Sequence, residues 1–341
     1  MSGGTILTAL DEGELEELLS PLPSFRARQI FSWIYRNAAS FDEMTDLPLS
    51  LRNELKTRFV LYGGLVRERL AGRDGVVKLL MEFSGGARAE AVLLRDGKDR
   101  FTACLSVQAG CPVGCVFCKT GSIGFLRNLE AHEITEQFLH LSREAPAPIE
   151  NIVVMGMGEP LLNLAPLRKA LALVTSGKGL SLRRVTVSTS GIPGGILDMA
   201  ENGPKTRLAF SLTTAREDLR RLLMPGAGKF PLSEIKAALA VYQEKTGRRL
   251  TLETVLLGGI NTGAPDAAAL REFAEGLFVV VNVIPWNPVE GLCFEGTPLR
   301  EPSPSEVEGF IRCLENGGLN VTRRYRKGRG VLGACGQLGT R

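Results

Sequence analysis

Ala103-Cys-Leu-Ser-Val-Gln-Ala-Gly-Cys111-Pro-Val-Gly-Cys115-Val-Phe-Cys118 is the stretch on which the reading of this chain turns. Its opening residues, Ala103–Val107, alternate like a strand, and a short loop bearing three cysteines follows. Downstream, strand and helix patterns alternate regularly. The candidate strands are Ala103–Val107, Asn151–Met155, Arg184–Ser188, Arg207–Leu212, Leu250–Leu256 and Phe278–Ile284. Helical patterns follow near Ala131–Arg143, Ala165–Thr175, Gly194–Glu201, Pro231–Thr246, Asp266–Leu277 and Ser303–Asn316. Strands rich in Val and Leu, each followed by a helix, indicate a parallel sheet covered by helices and an α/β fold class. Six such units fall short of the eight that close a barrel, so a partial (β/α)6 barrel is expected. Chemistry in such folds sits at the C-terminal ends of the strands.

Upstream, Leu15, Leu18 and Leu19 and then Ile30, Phe31, Trp33 and Ile34 mark helices, and a third helix starts near Leu49. Val76–Phe83 and Ala89–Leu94 alternate like strands around a Ser84-Gly-Gly turn. The expected division is an N-terminal helical accessory domain over 1–62, a β extension over 63–96 and the partial barrel over 97–341 with a terminal cysteine loop. The first residues lack the basic start and apolar block of a secretory leader, and no apolar run is long enough to span a membrane. A cytoplasmic address without membrane contact is therefore expected. The net charge of +4 does not by itself demand a nucleic-acid partner. Arg323, Arg324, Arg326, Lys327 and Arg329 form one dense basic run, which is either a solvated tail or a phosphate-binding segment. Seven cysteines, an odd number, argue against a disulfide framework and for metal ligands or reactive thiols.

Three thiolates on one loop bind three corners of an iron–sulfur cube and leave the fourth iron open. The alternative is zinc, with Cys104 completing a four-cysteine set. Other polar motifs also fall at strand ends: Gly156-Met-Gly158-Glu159-Pro160, Ser188-Thr-Ser-Gly191, Ser211-Leu-Thr213 and Pro285-Trp-Asn287-Pro. Each alone is a routine turn; together on one rim they suit a ligand pocket. Glycines there admit close backbone approach, and Glu159 offers a carboxylate to an amino group.

These motifs, with Gly124-Phe…Arg127-Asn-Leu129, the Phe25–Phe31 helix and the terminal Ala334-Cys335-Gly-Gln-Leu338, resemble the radical S-adenosylmethionine (SAM) RNA adenine methyltransferases of the RlmN/Cfr family over nearly the whole chain. The resemblance implies a radical-SAM partial barrel with a [4Fe–4S] cluster on Cys111, Cys115 and Cys118. It implies SAM contacts at Gly158, Glu159, Ser188, Ser211, Leu212, Thr213 and Asn287. It assigns Cys335 as the methyl carrier, Cys104 as the thiol that resolves the adduct through a transient disulfide, and Glu90 as proton acceptor. Two SAM molecules per turnover, 23S rRNA and tRNA as substrates, an electron donor such as flavodoxin or ferredoxin, and a monomeric state follow from the same resemblance. Carbon 2 of adenine is the expected target, with carbon 8 as the alternative and a zinc-stabilised RNA-binding protein without catalysis as the alternative of another class. Two departures bear on substrate: Thr213 stands where the family has histidine, and Gly328-Arg-Gly-Val-Leu-Gly-Ala-Cys335 is unusually glycine-rich. Those glycines suggest a mobile loop that brings a thiol to the barrel mouth.

Overall fold

The computed structural model describes residues 4–97, 100–324 and 328–339. Ten strands form one sheet whose spatial order follows the chain. They are β1 (Leu65–Ala71), β2 (Val77–Glu82), β3 (Arg88–Asp96), β4 (Arg100–Cys104), β5 (Ile149–Val154), β6 (Val185–Thr189), β7 (Arg207–Ser211), β8 (Leu250–Leu256), β9 (Val279–Pro285) and β10 (Val321–Arg323). β1 to β4 pair antiparallel, and β4 to β10 pair parallel. The order ends at β1 and β10 without closure, so the parallel part is a partial barrel extended on one edge by the antiparallel strands.

Besides the short helix Lys119–Ile123 after the cysteine loop, the helices are α1 (Glu12–Leu18), α2 (Ser24–Tyr35), α3 (Leu49–Arg58), α4 (Ala131–Glu144), α5 (Leu164–Lys178), α6 (Pro193–Asn202), α7 (Glu217–Leu223), α8 (Leu232–Thr246), α9 (Ala264–Ala274) and α10 (Pro304–Asn316). Local chemistry fixes several of their starts. Asp11 and Glu14 form a capping box at α1, and Ser303 with Glu306 does the same at α10, where Pro304 fits the first turn. No helix among the described residues is long and apolar enough to cross a membrane.

Three features differ from the sequence reading. The first barrel strand is Arg100–Cys104 rather than Ala103–Val107, because Ser106 leaves the ladder to bond Gln137 and the Glu90 carbonyl. β1 has no buried residue, so its Leu-Val-Arg-Glu-Arg-Leu-Ala sequence lacks the expected alternation; its charges protect an edge strand from further pairing. β10, a seventh parallel strand, carries Arg323, the start of the basic run. Arg326 and Lys327 of that run lie outside the described residues.

One continuous core runs from Leu7 through the barrel strands to Leu338, so the N-terminal helices share their packing with the barrel. The seam is tied by buried Glu136 on α4, whose carboxylate accepts hydrogen bonds from the Thr8 hydroxyl at 2.5 Å and the Gly63 and Gly64 amides at 2.8 and 2.7 Å. Arg143, further along α4, donates to the Asn37 and Ala38 carbonyls. Replacing Glu136 with alanine strands three donors, two of them buried, and each buried one costs about 1–3 kcal/mol when left unpaired. Glu136→Ala is therefore expected to lower the urea midpoint and to expose the segment around Gly63 to limited proteolysis before the barrel is cut.

Candidate active site

After β4 the chain forms a second, small ladder: Gln108–Gly110 pairs antiparallel with Phe125–Asn128 and closes the cysteine loop at its base. Gly110 is obligatory there, with φ of 78° and a virtual Cβ only 1.9 Å from the Gly124 carbonyl. The loop packs on α7 through an apolar cluster that includes Val113, Phe117, Leu219, Leu223 and Trp286. Trp286 also donates its indole N–H to the Phe117 carbonyl at 2.8 Å.

Cys111, Cys115 and Cys118 face one cavity of about 170 Å³. Gly158, Glu159, Ser188, Ser211, Thr213 and Asn287 line the same space. Leu212, grouped with them from the sequence, is fully buried and is not part of that lining; its carbonyl accepts from Arg220. Burial pushes the Cys111 thiol up to about 12, and burial with mutual repulsion raises Cys115 as well. Such thiols become thiolates only against positive charge, which iron provides. Cys104 stands apart from this set and faces a second cavity, so it does not complete a four-cysteine zinc set with them; the fourth thiol on the small cavity is Cys335. The side-chain Oδ1 of Asn287 is buried without a hydrogen-bond partner, a waiting acceptor for a ligand. The residues present thus fit a three-cysteine cluster with a small polar ligand beside it.

Glu159 lines the cavity with its carboxylate already engaged by neighbouring donors. Its carboxylate accepts from the Leu161 amide, the Thr189 hydroxyl, and both the amide and hydroxyl of Ser190, all within 3.0 Å. Those four donors match the roughly four lone-pair sites of a carboxylate. Glu159 here braces the end of β6, and burial raises its pKa above the ordinary carboxylate range.

Three charged residues within the barrel were not singled out for this position by the sequence reading. Glu253, inward on β8, accepts from Ser188, Asn282 and Arg324 at 3.2–3.3 Å. A lone acid inside the apolar run Leu-Thr-Leu-Glu-Thr-Val-Leu was its available signal. Arg220 on α7 is fully buried and donates to the Ser190, Ser211 and Leu212 carbonyls. Burial lowers its pKa to about 10, with Cys115 and Glu159 opposing, so it stays cationic near neutral pH beside the cluster loop. Arg324, read as part of a basic run, turns inward among Cys335, Glu253 and Cys104; the negative charge possible at Cys335 holds its proton more tightly against the cost of burial.

Cys335 sits where the two cavities meet, since it lines both. The second cavity, about 690 Å³, also contains Cys104. Both are free thiols in this structure, and burial, then Cys335, push Cys104 up to about 12 while Arg324 opposes. The glycine-rich segment that carries Cys335 is fastened at several points. The Asn287 amide donates to the Cys335 carbonyl at 3.1 Å, Lys119 N–H to Gly336, and the Thr120 hydroxyl to Leu338. Glu90 is buried on β3, outside both linings; its carboxylate accepts from Lys78 at 3.0 Å and from the Gly339 amide at 2.8 Å.

A partial barrel with three thiols on the loop after its first parallel strand, above a cavity rimmed by polar strand ends, defines a radical SAM enzyme, whose cofactors are a [4Fe–4S] cluster and SAM. The profile of the Radical SAM superfamily matches residues 105–270, and that of the Ribosomal RNA large subunit methyltransferase N-terminal domain matches residues 7–61. A solved radical SAM methyltransferase from Sphaerobacter thermophilus superposes with a TM-score of 0.92 at 38% identity, covering 98% of this chain and 99% of that one. A Treponema denticola protein named "Probable dual-specificity RNA methyltransferase RlmN" is 48% identical over 98% of this chain and 96% of its own length. A Thermus thermophilus protein of the same name is 42% identical over 95% of this chain and 92% of its own. The chain belongs to the RlmN family.

Alanine at Cys111, Cys115 or Cys118 is expected to abolish the broad visible absorbance of the anaerobically reconstituted protein and all reductive cleavage of SAM. Cleavage surviving in the triple variant would overturn the assignment of these ligands.

Proposed function

We propose that this chain methylates carbon 2 of an adenine in 23S rRNA and in tRNA, carrying the methyl group on Cys335. The observation that carries this reading is the position of Cys335, a single thiol open to both the cluster cavity and the larger cavity that holds Cys104. The match over residues 7–61 and the two named relatives support RNA as substrate.

An adenine ring carbon is too electron-poor to attack a sulfonium methyl group as an ordinary nucleophile, so the methyl is relayed through sulfur and radical chemistry. The cluster and SAM, two molecules per turnover, supply the methyl group and the hydrogen-abstracting radical. Cys335 accepts the methyl on its sulfur, and Arg324 lines the same cavity. Asn287 fixes the backbone of Cys335, and the apolar cluster around Trp286 and Phe117 keeps water from the reacting centre. Once the carrier's carbon is joined to the base, Cys104 attacks the Cys335 sulfur. A disulfide forms, the carbon–sulfur bond breaks with its electron pair passing to the carbon, which takes up a proton to become the new methyl group, and an external dithiol must then reduce the pair for another cycle. Glu90 is assigned the ring proton; its carboxylate is held by Lys78 and by the Gly339 amide.

On this reading residues 1–62 form the RNA-contacting accessory domain, 63–96 the β extension and 97–341 the catalytic barrel. The protein acts as a monomer and takes electrons from a flavodoxin or ferredoxin.

Two experiments test the proposal. Expressed in cells lacking adenine carbon-2 and carbon-8 methylation, the chain is expected to restore 2-methyladenosine in digested ribosomal and transfer RNA; 8-methyladenosine alone would reassign the carbon. Cys335→Ala is expected to form neither methylated protein nor product, whereas Cys104→Ala should accumulate a covalent protein–RNA species. Identical behaviour of the two variants, without any adduct, would overturn the division of labour.

A further inference from the structure

The larger cavity is approached from the N-terminal ends of the parallel strands, the side of the barrel opposite the cysteine loop. Arg100 is the first residue of β4, Arg184 immediately precedes β6, and Arg207 is the first residue of β7. All three line the cavity together with Arg323 of β10, and Cys104 and Cys335 lie at its inner end. In register, Arg207 is level with Thr186, two residues beyond Arg184 on the adjoining strand. Adjacent strands lie about 4.8 Å apart, so the two guanidinium groups can converge on one anion.

The opposing charge at this rim is slight and displaceable. Arg100 pairs with Asp96 at 2.9 Å and Arg184 with Glu150 at 3.6 Å, and all four side chains are roughly half exposed. Exposed pairs of this kind hold weakly and exchange partners readily. Arg207 and Arg323 make no ion pair among the described residues. At the opposite end of the barrel the cysteine loop packs on α7 through an apolar cluster that carries no cation.

We infer that the rim of Arg100, Arg184 and Arg207 is the entrance for RNA, binding the phosphates on either side of an unstacked nucleotide so that its base reaches Cys335 from the side of the barrel away from the cluster. The inference rests on the reading of this chain as an RNA methyltransferase and adds to it the path and the phosphate ligands. A cavity of about 690 Å³ is within the size range of pockets that enclose small ligands and accommodates one nucleotide. Phosphate contacts at the rim set register without reading sequence, and the extruded base then meets the two thiols. Arginine suits this task because its planar fork matches phosphate oxygens.

The test uses the full-length holoprotein with the double variants Arg184→Glu/Arg207→Glu and Arg184→Gln/Arg207→Gln, and Arg183→Glu as a control on the same segment outside the cavity. Three quantities are read: methylation of Cys335 by SAM, methylation of a ribosomal RNA fragment, and RNA affinity as a function of salt. Both double variants are expected to load Cys335 at the wild-type rate. Their KM for RNA should rise at least tenfold, and the slope of log affinity against log salt should shrink by about 0.7 for each single-strand phosphate that is no longer neutralised. The control should match the wild type throughout. RNA affinity, salt slope and methylation unchanged in the double variants would overturn the inference, as would an equal effect in the control. Wild-type protein that loads Cys335 yet methylates no RNA would instead overturn the proposed function, so the two failures are distinguishable.

Discussion

Lys78 and Glu90 face each other across two antiparallel strands, 3.0 Å apart, with almost no solvent around either. Removing one member of such a pair leaves an uncompensated buried charge and costs about 3–5 kcal/mol, so the pair is stable only while both are present. The second oxygen of Glu90 accepts the Gly339 amide, and the ammonium of Lys78 donates to the Leu332 carbonyl. The segment bearing Cys335 is thus held at both flanks by an ion pair that belongs to the sheet extension. Without it, the segment keeps only its ties to Asn287, Lys119, Thr120 and Asp74. The antiparallel strands before the barrel therefore help to position the segment that carries Cys335.

Charge inside the barrel is arranged with similar economy. Arg220 lies behind the cluster loop and Arg324 beside Cys335 and Cys104, while Glu253 bridges the polar side chains of neighbouring strands. Each cation sits where sulfur must carry negative charge. In a poorly solvated interior such fixed charges act more strongly than the same groups in water. Thr213, with φ of 60°, adds a strained backbone at the cavity wall, held by its N–H donating to the Glu253 carbonyl and by the Asn261 amide donating to its own carbonyl.

The barrel was legible because its signals are periodic: buried Val and Leu runs at strand spacing, capped helices between them, and a cysteine loop that has no common structural use. Three cluster cysteines and six of the seven rim positions face one cavity, as their placement at strand ends suggested. What escaped reading depends on distance in sequence. β1 shows no alternation because it buries nothing, and β10 is three residues long. Arg324 looked like part of a solvated run because only its neighbours in space, Glu253 and the two cysteines, reveal that it points inward. The glycines before Cys335 suggested mobility, yet Gly328 is bonded to Asp74 and Gly339 to Glu90, partners some 250 positions away in the chain. Thr189 and Ser190, which saturate Glu159, could not be told from a routine turn.

The meeting of two cavities at one sulfur also bears on how such an enzyme can be blocked. Molecules that fill the small cluster-side chamber and polyanions that seat on the arginine rim would occupy separate volumes, with Cys335 as their shared boundary. Neither need displace the other. A compound long enough to reach from one chamber past that sulfur into the other would gain contacts in both.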